Sequence, residues 1–190
     1  MTTLIALAGS LKEQSLNKRL VQAAGLAAEQ HGVTVQYLDL ADFNIPLFSE
    51  DLEAEGTPAS VNDLKALFAN SQGILLASPE YNGSISGVLK NAIDWLSRPS
   101  NTSDIGSAFH SKVVGLMAAS PGGLGGIRGL SHTRDILFNL GAIISPSQVA
   151  LPNAYAAFDE QGQLIDETAA QRVQQLAQEV SRLALAINAG

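Results

Sequence analysis

Five short apolar runs, each separated from the next by a helix-length segment, constrain this 190-residue chain more than any other feature. Thr3–Ala8 is the first run and predicts a buried strand. A loop and a helix from about Leu16 to His31 follow, and Gly32 ends that helix. Val33–Leu38 alternates as a second strand. The stretch from Asp39 to Pro58 is polar and irregular, broken by Pro46 and Gly56, and a helix from about Ala59 to Asn70 comes next. Gly73–Ala77 is the third strand, succeeded by a turn and a helix from about Gly87 to Leu96. A Ser- and Asn-rich connection, Pro99–Ser111, reaches the fourth strand, Val113–Ala118. A glycine-rich loop then opens a helix from about Leu124 to Leu140, which Gly141 stops. Ala142–Ser145 with Gln148–Ala150 gives an interrupted fifth strand, and a helix from about Glu167 to Ile187 closes the pattern.

Strands that alternate with helices connect by right-handed crossovers onto a parallel sheet, with helices on both faces. A sheet covered on both faces has strands that read as apolar runs, as most of these do. The expectation is a three-layer α/β/α sandwich around a five-stranded parallel sheet of order 2-1-3-4-5. Residues 1–190 read as one domain, with no internal repeat, low-complexity tract or linker.

The totals remove several classes of function. With 46% hydrophobic and 15% charged residues, extended disorder is not expected. No apolar run approaches the roughly 18 residues of a membrane span, and the N-terminal segment lacks a signal-peptide pattern. A soluble cytoplasmic protein is expected. Eighteen acidic residues against eleven basic ones give a net charge of −7, which disfavours nucleic-acid or anionic-membrane partners. An anionic small ligand remains compatible, because helix N-termini bind phosphate through backbone amides. Cysteine is absent, so disulfides, thiolate catalysis and Cys-based metal sites are excluded. His31, His110 and His132 lie far apart without ligand-like spacing, and neither a metal site nor a histidine base is expected.

Open α/β sheets bind ligands in loops at the carboxyl ends of their strands. Three such loops have suggestive chemistry. Gly9 to Asn17 combines a tight-turn glycine, the hydroxyls of Ser10 and Ser15, the cation of Lys12 and a helix start. That set suits a phosphate, although Ser15 reads equally well as a plain helix cap with Lys12 solvated. The spacing matches neither GxGxxG nor GxxxxGK[ST]. The second loop, Ser78-Pro79-Glu80-Tyr81-Asn82-Gly83-Ser84, holds an aromatic ring, a carboxylate and an amide. The third, Ala119 to Arg128, has four glycines and permits close approach of backbone to a ligand.

The P-E-Y-N…G-x-L-K-N-A-I-D-W signature from Pro79 to Trp95, with the other two loops, resembles the NAD(P)H-dependent FMN reductases of flavodoxin-like fold. That group includes quinone, azo-compound and chromate reductases. The resemblance runs from Gly9-Ser10 through the helix after the Gly122–Arg128 loop. It implies that Ser10, Lys12, Ser15 and Asn17 hold the FMN phosphate. Pro79, Glu80, Tyr81 and Asn82 would line the isoalloxazine and ribityl parts, and Ser120 with Gly123 would close the other side. Two positions depart from the pattern: Lys12 stands where relatives often have Arg, and Ser86 where they often have Pro. Lysine is a point charge without a bidentate grip, so retained but weaker FMN binding is expected; Ser86 can cap its helix.

Leu89, Ile93 and Trp95 have spacings that fit core or subunit packing, Lys90 and Asp94 fit a helix-surface pair, and Asn91 fits a buried structural amide. Arg128 would pair with a carboxylate at a dimer interface or meet the phosphates of the nicotinamide cofactor. The resemblance further implies a homodimer or homotetramer, NADPH or NADH as co-substrate, and a small-molecule electron acceptor. Hydride transfer and acceptor reduction would follow a ping-pong order with no obligatory side-chain acid. A flavodoxin-like FMN-binding electron carrier, without its own NAD(P)H turnover, is the alternative.

Overall fold

A computed structural model describes residues 1–99 and 108–189. The connection expected at 99–111 therefore lies mostly outside the described residues. Strands β1 (Thr3–Ala8), β2 (Thr34–Asp39), β3 (Gly73–Ala77), β6 (Val113–Ala119) and β7 (Ile143–Leu151) form one parallel sheet of order β2-β1-β3-β6-β7. In terms of the five principal strands this is the expected 2-1-3-4-5 order. Register runs unshifted from Thr3↔Thr34 to Ala8↔Asp39 and from Leu4↔Gly73 to Ala8↔Ala77. β3 and β6 pair equally regularly, from Gly73↔Val113 to Ala77↔Met117.

Helices cover both faces. On one side α1 (Leu16–Glu29) and α6 (Glu167–Asn188) pack together over β1, β3 and β6. Leu20, Ala24, Val173, Leu176 and Val180 there meet Leu4, Ala6, Leu75 and Met117. On the other side lie α3 (Ala59–Ala69), α4 (Gly87–Leu96) and α5 (Ile127–Asn139). Their Leu64, Phe68, Leu89, Ile93 and Leu130 meet Ile5, Leu7, Ile74, Leu76 and Leu116. Successive strand residues point to opposite faces, so the single run Leu4–Ala8 feeds two cores at once. That explains why the central strands read as continuous apolar runs.

Three details differ from the sequence pattern. The polar stretch after β2 is not wholly irregular: it holds a 3₁₀ turn at Leu40–Phe43 and a short helix α2 (Glu50–Glu55), capped by Ser49. The glycine-rich loop runs further than expected, so α5 begins at Ile127 rather than Leu124. The fifth strand is one element, not two. Its interruption survives as a register shift: Val114 pairs with Ile144, but Leu116 pairs with Gln148. Pro146 falls inside that shift on an edge strand, where a missing N–H disturbs only one neighbour.

Residues 44–58 form a strap held down by α4. Asn91 Nδ2 and Trp95 Nε1 both donate to the Pro46 carbonyl, each at 2.9 Å, and the Phe48 N–H donates to Asn91 Oδ1 at 2.8 Å. The Phe48 ring meets Trp95 edge-on at 5.0 Å. Arg98, just past α4, donates to the Glu53 carboxylate of α2 at 2.8 and 3.0 Å. That hydrogen bond lowers the Glu53 pKa and raises that of Arg98. Among the described residues no helix is long and apolar enough to cross a membrane.

Candidate functional site

Because β1, β3 and β6 are adjacent and parallel, the loops that leave their carboxyl ends open onto one edge of the sheet. The first loop is fixed at both ends. Gly9 N–H donates to the Ala77 carbonyl at the end of β3, at 2.9 Å. A Cβ on Gly9 would stand 2.8 Å from Leu89 Cβ, so only glycine lets the loop run this close to α4. Ser86 accepts from the Leu89 N–H at 3.2 Å, capping α4, and donates to the Gly9 carbonyl at 2.6 Å. A proline at 86 would supply no such donor. The departure at Ser86 thus joins the first loop to the helix that follows the second.

Ser10 and Ser15 are buried, while Lys12 is exposed. Ser10 Oγ accepts from the Lys12 N–H at 3.3 Å, and Ser15 caps α1 by accepting from the Asn17 N–H at 3.2 Å. The N–H groups of Leu16 and Lys18, in the first turn of α1, have no intrahelical acceptor. Two hydroxyls, a helix N-terminus and one mobile cation therefore surround the start of α1. The buried Asn17 amide is engaged elsewhere: its Nδ2 donates to the Ala119 carbonyl and its Oδ1 accepts from the Ala119 N–H, both at 2.9 Å. It clamps the start of α1 to the end of β6, so the first and third loops hold a fixed separation.

The second loop is a hairpin. β4 (Glu80–Tyr81) pairs antiparallel with β5 (Ser84–Ile85), Glu80 opposite Ile85 and Tyr81 opposite Ser84. Asn82 and Gly83 at its tip have φ of 52° and 79°. Two successive positive φ values define the type I′ turn that Asn-Gly favours. The sequence carried this signal in the Asn82-Gly83 dipeptide, which reads as a generic turn until its length of two residues is noticed. Pro79 is buried, whereas Tyr81 is 57% exposed at the hairpin's edge beside Asn82.

The Glu80 carboxylate reaches the first turn of α5. It accepts from the backbone N–H groups of Arg128 and Gly129 at 3.0 and 3.1 Å, and from Arg128 Nε at 2.8 Å. Arg128 Nη2 lies 2.5 Å from the same carboxylate. Desolvation pushes the Glu80 pKa up, but the hydrogen bonds from Arg128 and Gly129 and the guanidinium charge outweigh it, and the net shift is downward. Arg128 thus has its carboxylate partner within its own chain, at the first turn of α5. Sequence patterning missed this because the pair spans 48 positions.

The third loop divides its glycines between two tasks. A Cβ on Gly123 would meet nothing within 4 Å, and one on Gly122 only Ser120 Oγ at 3.6 Å, so this backbone faces open space. Gly126 instead has φ of 86° and its Cβ would stand 2.6 Å from that of Ala118. Ser120 anchors the loop: its N–H donates to Leu151, its carbonyl accepts from the Ala154 N–H, and its Oγ accepts from the Gly122 N–H at 3.2 Å.

These residues suit an elongated ligand with an anion at one end and a flat polar ring at the other, as FMN has. The hydroxyls, helix start and Lys12 meet the requirements of a phosphate. The exposed Tyr81 ring and the unobstructed Gly122–Gly123 backbone supply an aromatic face and free backbone of the kind a planar polar group requires. A separate hollow of about 530 Å³, between α1, α6 and residues 161–164, is lined mainly by glutamine, alanine and leucine and offers no comparable set.

Residues 2–156 match the family model for NADPH-dependent FMN reductase. An NAD(P)H-dependent FMN reductase of Pseudomonas aeruginosa is 35% identical over 172 residues, covering 90% of this chain and 89% of that protein. An NADPH:quinone oxidoreductase of Arabidopsis thaliana is 36% identical over 179 residues, covering 90% and 86%. Among solved structures, the flavoenzyme NAD(P)H:(acceptor) oxidoreductase of Paracoccus denitrificans superposes with a TM-score of 0.83 at 27% identity, covering 98% of each chain. The chain belongs to the NADPH-dependent FMN reductase family.

Proposed function

We propose that this protein is an FMN-dependent NAD(P)H oxidoreductase whose acceptor is a small molecule: a flavin, quinone, azo compound or metal oxyanion. One observation carries the reading. Three loops rich in hydroxyls, free backbone and one cation converge at a single sheet edge, and buried polar bonds from Asn17 and Ser86 hold them in register. Family membership supports it.

Hydride acceptance from NAD(P)H and electron delivery to an acceptor, in ping-pong order, is the chemistry that bound FMN supplies. The chain's own part is binding and electrostatics. Ser10, Ser15, Lys12 and the N-terminus of α1 hold the phosphate, with Asn17 fixing the helix start. Pro79, Glu80, Tyr81 and Asn82 form one wall; Ser120 and Gly123 form the other. Backbone N–H groups near Asn82 and Gly123 would supply donors to the polar edge of the ring, which would favour a more negative form of it. We further propose a cytoplasmic homodimer or homotetramer.

An absorption spectrum of the purified protein tests the reading. Bound flavin absorbs near about 450 nm, and addition of NADPH is expected to bleach that band. A colourless protein that also takes up no added FMN would overturn the proposal. Bound FMN without NADPH turnover on a quinone or dye would make the protein an electron carrier instead.

A further inference from the structure

The hairpin and α5 move as one body only if something joins them, and the joint is unusually polar. The Glu80 side chain is only 8% exposed, yet it carries a full charge whose four contacts all lead to Arg128 and Gly129. A second tie, between Ser84 Oγ and His132 Nδ1 at 2.9 Å, lies one helical turn further along α5. The fit is tight at Gly129, where a Cβ would stand 3.2 Å from the Ser84 carbonyl and 3.3 Å from Glu80 Cβ. The Arg128 guanidinium carbon lies 4.0 Å from where a Gly83 Cβ would be, so it braces the tip of the hairpin as well. Residues 81–83 form the tip of the hairpin, exposed at Tyr81 and Asn82, and residues 122–123 lie exposed in the loop that leads into α5 at Ile127.

We propose that Glu80 is a positioning residue: by capping α5 and gripping Arg128 it sets the width of the gap between the Tyr81–Gly83 tip and the loop of Gly122 and Gly123 that leads into α5. Its carboxylate acts through these neighbours rather than on the ligand. Two features of the site make the width matter. A planar group held between two walls gains from both only at one separation, and backbone donors stabilise charge only when aimed beforehand. An acidic cap at a helix start is also matched to the helix dipole, so the joint is stable without help from a ligand. The inference rests on the flavin reading proposed above.

The experiment is FMN titration into apoprotein of wild type, E80Q, R128A, R128K and E80Q/R128A, followed by flavin fluorescence and by visible circular dichroism of the bound form. E80Q keeps the shape and loses the charge. It is expected to raise the FMN dissociation constant about tenfold and to change the flavin circular dichroism bands. R128K is expected not to restore wild-type behaviour, because lysine lacks the guanidinium fork. The double variant should be no weaker than E80Q, since the two groups form one unit. A general loss of stability would lower the melting temperature without reshaping those bands. Wild-type protein that binds no FMN would sink the flavin reading and this inference together. Wild-type binding alongside an E80Q with unaltered affinity and bands would overturn the inference alone. Should E80Q fail to fold, an R128A indistinguishable from wild type overturns it equally.

Discussion

In the proposed site Lys12 and Asn82 would contribute by different physics. Lys12 is a solvated cation in the first loop, whereas its neighbours Lys18 and Arg19 are already engaged, by Asp39 and by Gln14. Its pull on a phosphate is Coulombic and reaches through water, so salt screens it within a length of about 8 Å at physiological ionic strength. Asn82, held at a fixed backbone conformation, would act through short-range contacts. Lys12→Ala is therefore expected to weaken FMN binding strongly at low salt and little at high salt, while Asn82→Ala loses affinity evenly. Dissociation constants of the two variants from about 20 to 500 mM salt would show it; parallel salt slopes would remove Lys12 from the phosphate site. At this scale local partners were legible in the sequence and distant ones were not. Ser15 was legible as a cap because its partner is two residues away. Asn17 was not legible as a clamp, because Ala119 lies 102 positions on and only the fold brings it near. Glu80 was legible only as part of the second loop, and its carboxylate's place at the start of α5 was not, for the same reason.

Elements with a local cause could be read in advance, and those with a distant cause could not. The strands β1, β3 and β6 follow from apolar runs that feed two cores, and α4 follows from its own spacing of Leu89, Ile93 and Leu96. The 44–58 strap has no such periodicity. Its order comes from Asn91 and Trp95, four residues apart on α4, which converge on one carbonyl of Pro46. Part of the signature helix therefore serves the strap rather than the cofactor, which accounts for an amide and an indole N–H on a face otherwise apolar. Asn91→Ala leaves the Phe48 N–H without its acceptor and the Pro46 carbonyl with one donor fewer. Each stranded partly buried group costs about 1–3 kcal/mol. The expected outcome is a lower urea midpoint and faster proteolysis within residues 47–58, with FMN affinity changed less than stability. Cleavage elsewhere in the chain at the same rate would show that α4 does not hold the strap.

At the level of the whole molecule, the two buried cores account for the monomer, but they leave apolar surface at the functional edge. Leu11, Tyr81, Leu124 and Ile127 come from all three loops and are 53%, 57%, 57% and 43% exposed. Scattered exposed apolar residues need no explanation, whereas a group that rims a cleft marks a contact surface. A second copy of the chain covers such a rim at the cost of bringing two bodies of net charge −7 together. That repulsion is long-ranged and screened, while apolar burial is not. Association is thus expected to strengthen as salt rises, opposite in sign to the effect on the Lys12–phosphate attraction. Sedimentation velocity should find a species heavier than the 19.8 kDa monomer, more fully populated at about 300 mM salt than at 20 mM. Ile127→Asp, which adds an anion to the exposed rim, should shift the distribution towards monomer without lowering the thermal stability of the isolated chain. A 19.8 kDa species alone at every salt concentration would leave the rim to the substrate, and dissociation as salt rises would mean that ion pairs rather than apolar side chains hold the copies together.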